Sequence, residues 1–305
     1  MLASARYGDD RFAEVDGYRV HYVEVGVGDP VILIAGSFST YRAWNRIIPL
    51  LSKHYRLLVL DYVGTGDSDK PQKGFRYSVQ EQAHLISKLI KQLNLGCIHL
   101  IGASYGGAIA LNLAARHPEQ ISKVVSIEGG IVKPQTLPGN PLEFALQYPV
   151  IGDLFIGLVK TGFLNGLLLK LIAGQWYAHM TEDDKSEFLE QLRYNAKSAS
   201  RIAWYWITVS HKTCEDFTAT AKTMQMPILY LYGTASDFME PLLQENIRFL
   251  ETHLPHAQIV GLTGGIHDLQ FQKPTEVADA VLSFLGDQTA RTSNDALLRT
   301  SDVDS

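Results

Sequence analysis

The sequence contains 305 residues, of which 46% are hydrophobic and 19% are charged, a composition typical of a globular chain long enough for one large core and an insertion. The formal net charge of −5 gives no broad cationic surface, so no nucleic-acid partner is expected. No apolar segment reaches the ~18 to 20 residues of a membrane span, and the first residues lack the apolar run of a signal peptide, so we expect a cytoplasmic protein.

Eight short segments are predicted to be strands. Residues 12–26 alternate in polarity around Asp16-Gly17, as in a β-hairpin. Six nearly all-apolar runs, typical of strands covered on both faces, follow at 30–36, 55–64, 97–104, 123–130, 227–233 and 257–265. Helical periodicity separates most of them, at 41–54, 78–95, 106–118, 240–255 and 274–285. This alternation predicts an α/β fold with a mainly parallel eight-stranded sheet flanked by helices.

Residues 131–222 interrupt the alternation, because they contain apolar helical patterns and no clear strand. Such a connection is too long for a loop, so we predict an inserted helical cap on a core formed by residues 1–130 and 223–286. The polar residues 287–305 are predicted to be a flexible tail.

The segment 142–180 within this insertion is apolar nearly all round, with few charges. A helix buried on one face needs an apolar stripe only about 100° wide, so this segment requires a second surface. The insertion can pack on the core, on itself or on a second subunit, which would form a homodimer through the cap. It can also line an acyl pocket or, less favoured, touch a membrane surface.

A serine stands among glycines where the third apolar run, 97–104, meets a helical pattern. Gly102-Ala103-Ser104-Tyr105-Gly106 fits G-x-S-x-G, a tight turn that strains the serine backbone and leaves no room for larger residues two positions on either side. The start of the helix also favours developing negative charge. We therefore predict that Ser104 is a nucleophile, with a simple helix cap as the alternative.

A serine hydroxyl needs a base to remove its proton, and the base needs an orienting carboxylate. His267 is the candidate base, because it lies in a glycine-bearing loop between the last predicted strand and the last helix. Asp237, in the loop after the penultimate strand, is the first choice for the carboxylate. Glu128 is the rival, since its strand also ends at the carboxyl edge of the sheet, where sites collect.

These residues resemble the α/β-hydrolase fold family, in particular its capped esterases and lipases. The order Ser104, Asp237, His267 is the family's order, and "DYVGTGDSDKP" at 61–71 is similar to its D-x-x-G-x-G-x-S-x-x-P loop. Haloalkane dehalogenases and epoxide hydrolases, which use an aspartate nucleophile, are disfavoured by Ser104, although some of them place their acid where Glu128 stands. Two features depart from the family. Ala35 replaces the usual histidine before Gly36, and three residues rather than two lie between the strand-ending Gly233 and Asp237.

The resemblance implies that the backbone N–H groups of Ser37 and Tyr105 form an oxyanion hole. It also implies hydrolysis of a carboxylic ester through an acyl-enzyme, on a small hydrophobic substrate. Phe38, Trp204 and Trp206 are the candidate substrate-binding residues. The alternatives are an acyltransferase or thioesterase with the same triad, a carbon–carbon hydrolase or perhydrolase, and a ligand receptor without catalysis.

No metal or organic cofactor is expected. The segment "GTGDSD" lacks both the third glycine of a dinucleotide site and the Gly-Lys-Ser/Thr of a phosphate loop. Cys97 and Cys214 have no metal-ligand spacing, and we expect both to be small buried side chains.

Overall fold

A computed structural model describes residues 8–130, 141–210, 217–236 and 240–286. Its strands are β1 Asp9–Val15, β2 Tyr18–Val25, β3 Pro30–Ile34, β4 Arg56–Asp61, β5 Ile98–Ala103, β6 Ile121–Ile127, β7 Ile228–Gly233 and β8 Gln258–Leu262. They form one sheet in the order β1-β2-β4-β3-β5-β6-β7-β8. The pairs β1–β2 and β2–β4 are antiparallel, and the other pairs are parallel. The predicted α/β class with a mainly parallel eight-stranded sheet is confirmed.

Both faces of the central strands are covered, which explains their all-apolar sequences. In β3, Ile32 and Ile34 pack in one hydrophobic cluster, and Val31 and Leu33 pack in a second one. Successive side chains of a strand point to opposite faces, so the two clusters lie on the two sides of the sheet. Because the strands β3 to β8 are parallel, their carboxyl ends meet at one edge of the sheet.

Six helices accompany the sheet: α1 Ile48–Leu51, α2 Val79–Gln92, α3 Tyr105–Arg116, α10 Glu240–His253, α11 Leu269–Gln272 and α12 Pro274–Leu285. The helix predicted at 41–54 is replaced by a 3₁₀ turn at Tyr41–Trp44 and by the four-residue α1. Pro49 explains the break, because proline lacks the N–H that a continuous helix would need there. The helix predicted at 78–95 begins where Ser78 Oγ accepts a hydrogen bond from the Glu81 N–H at 3.2 Å.

Between β6 and β7, the described residues form helices and no strand. They are α4 Pro141–Gln147, α5 Pro149–Lys160, α6 Asn165–Ala173, α7 Glu182–Lys197, α8 Arg201–Thr208 and α9 Phe217–Ala221. Residues 141–210 are called the helical insertion below. One of its apolar clusters includes Phe271 of α11, so the helical insertion is packed against a core element at this point.

No single helix in the described ranges is long and apolar enough to span a membrane; Pro141–Gln147 and Pro149–Thr161 pass that test only as a pair bent by 114°. The prediction of a buried Cys97 is wrong, because Cys97 is exposed; it follows Gly96 in the turn between α2 and β5. Cys214 and the tail 287–305 lie outside the described residues, as do 131–140 at the start of the predicted cap.

Candidate active site

Ser104 occupies a strained turn between β5 and α3. Its φ of 52° and ψ of −117° lie in a region that residues with a side chain rarely adopt. A Cβ on Gly102 would lie 2.2 Å from the carbonyl oxygen of Gly106, and a Cβ on Gly106 would lie 2.2 Å from that of Ile34. The flanking glycines are therefore required by close backbone contacts, as the sequence predicted.

Glu128 follows β6 and contacts the predicted base. Its Oε2 accepts a hydrogen bond from His267 Nδ1 at 2.5 Å and another from Ser236 Oγ at 2.8 Å. Its Oε1 accepts one from the Gly233 N–H at 2.7 Å. The side chain is only 2% exposed, and its backbone φ of 46° is a second strained conformation at the site.

The contact expected for Asp237 is thus made by Glu128. Asp237 lies outside the described residues, and its role stays a prediction. Ser236, directly before it, is buried and directs its hydroxyl to Glu128. Among the described residues, the geometry favours the rival carboxylate that the sequence had left open.

The Glu128–His267 pair favours the charged form of each partner. Burial disfavours both charges, but the hydrogen bond and the attraction between the two groups outweigh it. The pKa of Glu128 is therefore lowered from its usual 4.5, and the pKa of His267 is raised from 6.5. Because the carboxylate binds Nδ1, proton transfer by this ring would use the Nε2 atom.

The loop after β3 lies against Ser104. A Cβ on Gly36 would lie 3.3 Å from Ser104 Cβ, and the Tyr62 hydroxyl donates to the Gly36 carbonyl at 2.9 Å. Ser37 follows Gly36 in the chain, and Tyr105 is the first residue of α3. Both predicted oxyanion-hole donors therefore belong to backbone segments that border the serine.

The three candidate substrate-binding residues are not all brought together. The rings of Phe38 and Trp204 are in contact, with their centroids 4.5 Å apart and their planes tilted by 33°. This contact joins the loop after β3 to α8 of the helical insertion. Trp206 instead packs against the large core cluster and against Tyr205. Residues i and i+2 of a helix point in nearly opposite directions, so the two tryptophans lie on different sides of α8.

A family model described as "alpha/beta hydrolase fold" matches residues 29–274. The chain belongs to this family. It is 32% identical over 294 residues to 2-hydroxy-6-oxo-6-(2'-aminophenyl)hexa-2,4-dienoic acid hydrolase of Metapseudomonas resinovorans, with 90% of each chain covered. It is 29% identical to a soluble epoxide hydrolase of Corynebacterium sp. (strain C12), over 73% of this chain and 80% of the relative. These relatives are hydrolases, which supports hydrolase activity for this chain.

Solved structures agree on the fold. A bacterial membrane phospholipase A has a TM-score of 0.72 at 23% identity, with 94% of this chain and 88% of that chain covered. Epoxide hydrolase A from Mycobacterium thermoresistibile has a TM-score of 0.73 at 19% identity, with 92% and 98% covered. At these identities the likeness supports the α/β-hydrolase fold alone.

The histidine loop of this α/β hydrolase is held by a side chain that the sequence analysis did not single out. Gln272 accepts a hydrogen bond from the Ile266 N–H at 2.7 Å and donates one to the Gly264 carbonyl at 3.1 Å. The Gly265 carbonyl also accepts from the Ala235 N–H at 2.9 Å. These contacts fix the backbone just before His267 to the loop after β7.

Arg46 joins the helical insertion to the segment that follows His267. Its Nε donates to Glu187 Oε2 and its Nη2 to Asp184 Oδ1, each at 2.8 Å, and both acids belong to α7. Its Nη1 donates to the Phe271 carbonyl at 3.0 Å, and its guanidinium lies 3.8 Å from the centre of the Phe271 ring. No sequence motif marks this contact, since its partners are far apart in the chain.

Among the residues that the structure describes, one group of side chains is of a kind that can bind a metal ion. It consists of His21, Asp61 and Asp67, whose possible ligand atoms lie within 4.8 Å of one another. The Asp61 carboxylate already accepts hydrogen bonds from His21 Nδ1 at 2.8 Å, from the Tyr41 N–H at 2.8 Å and from the Asp67 N–H at 3.0 Å. The arrangement fits a carboxylate that stabilises the 61–71 turn of the α/β hydrolase, because its oxygens are engaged by protein donors.

Proposed function

We propose that this chain is a serine hydrolase that cleaves carboxylic esters of hydrophobic acids through an acyl-enzyme on Ser104. The hydrogen bond of 2.5 Å between Glu128 and His267 is the observation that carries the proposal. It supplies an oriented base, and the strained turn after β5 presents a hydroxyl nucleophile at the same sheet edge.

The geometry supports a two-step mechanism. His267 Nε2 removes the proton of Ser104 Oγ as the oxygen attacks the ester carbonyl carbon, and Glu128 stabilises the imidazolium that forms. The backbone N–H groups of Ser37 and Tyr105 bind the oxyanion. His267 then returns the proton to the leaving alcohol. Water attacks the acyl-enzyme with the same base, which releases the acid and restores Ser104.

The nucleophile is tested by Ser104→Ala, with Ser122→Ala as the control because Ser122 is an exposed serine of β6. We expect Ser104→Ala to abolish both the hydrolysis of p-nitrophenyl esters and covalent labelling by a fluorophosphonate, and Ser122→Ala to change neither. His267→Ala should cost nearly as much, because triad residues act as a unit. More than about a tenth of the wild-type rate in Ser104→Ala or His267→Ala would refute the assignment.

The substrate class rests on the apolar pair Phe38 and Trp204 beside the nucleophile loop. Each methylene buried against such a wall adds about 0.8 kcal/mol, or up to about fourfold in kcat/KM. We therefore expect kcat/KM to rise steadily from acetyl to hexanoyl esters of p-nitrophenol. A preference for the acetyl ester would reject a hydrophobic acyl site while leaving the nucleophile test unaffected.

A second candidate is carbon–carbon bond hydrolysis, favoured by the 32% identity over 90% of the chain to a dienoic acid hydrolase. The same serine and histidine could attack a ketone carbonyl of a vinylogous diketone. The named acid carries a carboxylate, whereas the Phe38–Trp204 pair is apolar, so the ester is preferred. A higher kcat/KM on a 2-hydroxy-6-oxo-dienoic acid than on the best ester would reverse this choice.

Acyl transfer is a separate alternative. Transfer of the acyl group to an added alcohol or thiol would indicate an acyltransferase.

A further inference from the structure

Large apolar side chains are exposed in an uneven pattern. In the described part of the chain, twelve large hydrophobic residues are exposed, and nine of them fall within residues 144–171. Scattered exposed hydrophobic residues are ordinary on a protein surface, but a contiguous patch marks an interaction site. The exposed apolar side chains of α4, α5, α6 and their connecting turns are called the apolar face below.

Helix α5 forms the middle of the apolar face and is apolar on two sides. Ile156 and Val159 are buried in a cluster inside the helical insertion. Val150, Leu154 and Leu158 lie on the opposite side of the helix and are exposed, Val150 by 82% and Leu154 by 75%. A helix packed only on its own domain has a polar outer side, so the outer side of α5 is suited to a second apolar contact.

The helices on either side continue the apolar face. Leu167 and Leu171, one turn apart on α6, are exposed, and Phe163 in the turn between α5 and α6 is 79% exposed. Phe144 on α4 and Tyr148 between α4 and α5 are exposed, and their rings are in edge-to-face contact with centroids 5.1 Å apart. The exposed apolar residues thus extend over three consecutive helices.

Within residues 141–173, the exposed charges that are not in an ion pair are those of two lysines. Residues 141–173 contain two acids and two lysines. Glu143 is half-buried, and Asp153 is paired with Arg201 at 2.9 Å. Lys160 at the end of α5 and Lys170 on α6 are both exposed, and the Lys170 ammonium lies 5.5 Å from the centre of the Tyr177 ring. An anionic surface is therefore complementary to this part of the protein.

We propose that the apolar face docks on a lipid bilayer that carries anionic headgroups. Its apolar side chains would enter the boundary between headgroups and acyl chains, with Lys160 and Lys170 at the phosphates. A second copy of the chain is a poorer occupant, because each copy would bring two lysines into the contact and residues 141–173 offer no exposed unpaired acid to pair with them. The bend of 114° between α4 and α5 suits helices lying along a surface.

The test is flotation of the full-length chain with vesicles of equal parts phosphatidylcholine and phosphatidylglycerol, compared with phosphatidylcholine alone. Val150→Gln and Val27→Gln form a matched pair, because both valines are 82% exposed and Val27 lies in the turn between β2 and β3. We expect Val150→Gln to reduce the vesicle-bound fraction by several-fold and Val27→Gln to leave it unchanged. The double variant Leu154→Gln with Phe163→Gln should weaken partitioning by at least about tenfold.

The lysines are tested separately. Lys160→Gln with Lys170→Gln should weaken binding to the mixed vesicles and leave binding to phosphatidylcholine alone unchanged. Absence of flotation with either vesicle, or an equal effect of Val27→Gln and Val150→Gln, would overturn the proposal. A dimer in sedimentation that dissociates on Leu154→Gln, without vesicle binding, would assign the face to a second copy instead. The hydrolysis of a water-soluble ester is measured for the same variants. Because this assay needs no vesicles, it tests the proposed function separately from vesicle binding.

Discussion

Replacing Glu128 by Gln inverts the hydrogen bonding of the base. The Gly233 N–H is a backbone donor fixed 2.7 Å from Oε1, so the amide oxygen of Gln must take that position. The amide nitrogen then takes the place of Oε2, 2.5 Å from His267 Nδ1, and donates a hydrogen bond to it. The ring proton is forced onto Nε2, the atom that must accept the proton of Ser104.

The expected loss combines this wrong tautomer with the lost charge. An amide in place of the triad carboxylate of chymotrypsin-like enzymes costs about 10⁴-fold in kcat, which corresponds to about 5.5 kcal/mol of transition-state stabilisation. The imidazolium here would form on a side chain only 15% exposed, where solvent replaces little of the missing charge. We therefore expect kcat to fall on the order of 10³- to 10⁴-fold. The Ser236 hydroxyl can rotate to accept from the new amide, so the fold should be retained.

The assay compares wild type, Glu128→Gln and Asp237→Asn in the hydrolysis of p-nitrophenyl butyrate and in the rate of labelling by a fluorophosphonate. Asp237→Asn is the control, because it changes the other candidate acid by the same chemistry. Thermal unfolding of each variant checks that the fold is intact. A Glu128→Gln enzyme within tenfold of wild type, or a larger loss in Asp237→Asn, would refute the reasoning and assign the acid to the loop after β7.

Two further predictions concern the contact of His267 with Glu128 and the contacts of Arg46. Burial alone would lower the pKa of His267, but its hydrogen bond to Glu128 raises the pKa above 6.5. Because the neutral ring is the base, kcat/KM should rise with pH to a plateau with a midpoint above 6.5, and Glu128→Gln should move that midpoint down. A flat profile from about pH 5 to 8 would contradict a histidine base. Arg46→Met should lower the free energy of unfolding by about 1 to 3 kcal/mol in urea titration, because it removes the guanidinium donor to Glu187, to Asp184 Oδ1 and to the Phe271 carbonyl. Arg11→Met, which removes a half-exposed arginine paired with Asp9 and Glu24, should cost less than about 1 kcal/mol. Equal costs would contradict a special role for Arg46.

Local features of the site could be predicted from the sequence. The strand-to-helix turn at Ser104 depends on glycines two residues away, and the apolar runs report strands covered on both faces whatever their order in the sheet. The pairing of Glu128 with His267 joins residues 139 positions apart. It depends on how far each loop extends beyond its strand, which side-chain patterns do not encode. Both candidate acids follow strands that end at the same sheet edge, so the sequence could only name the two alternatives.

Two details could have been read more closely from the sequence. Trp204 and Trp206 are two positions apart in a predicted helix, and that spacing already places them on nearly opposite sides. The two glycines that follow Glu128 indicate a tight turn directly after β6, where a side chain is directed across the strand ends. The contacts of Arg46 with α7 and Phe271 have no such signal, because they depend on the packing of two separate regions of the chain.

The packing of Phe271 in a cluster of the helical insertion limits how this enzyme can be recombined with its relatives. The ring of Phe271 lies edge-on to Phe188 of α7 at 4.9 Å, and the same residue follows His267 by four positions. A chimera that exchanges residues 141–210 alone would place foreign side chains around Phe271 and disturb the segment that carries His267. Transplanting 266–273 together with the insertion would keep both halves of this contact from one parent. Helix α6 contributes Leu169 and Ala173 to the same cluster, so exchanges confined to α4 and α5 leave the residues of this cluster unchanged.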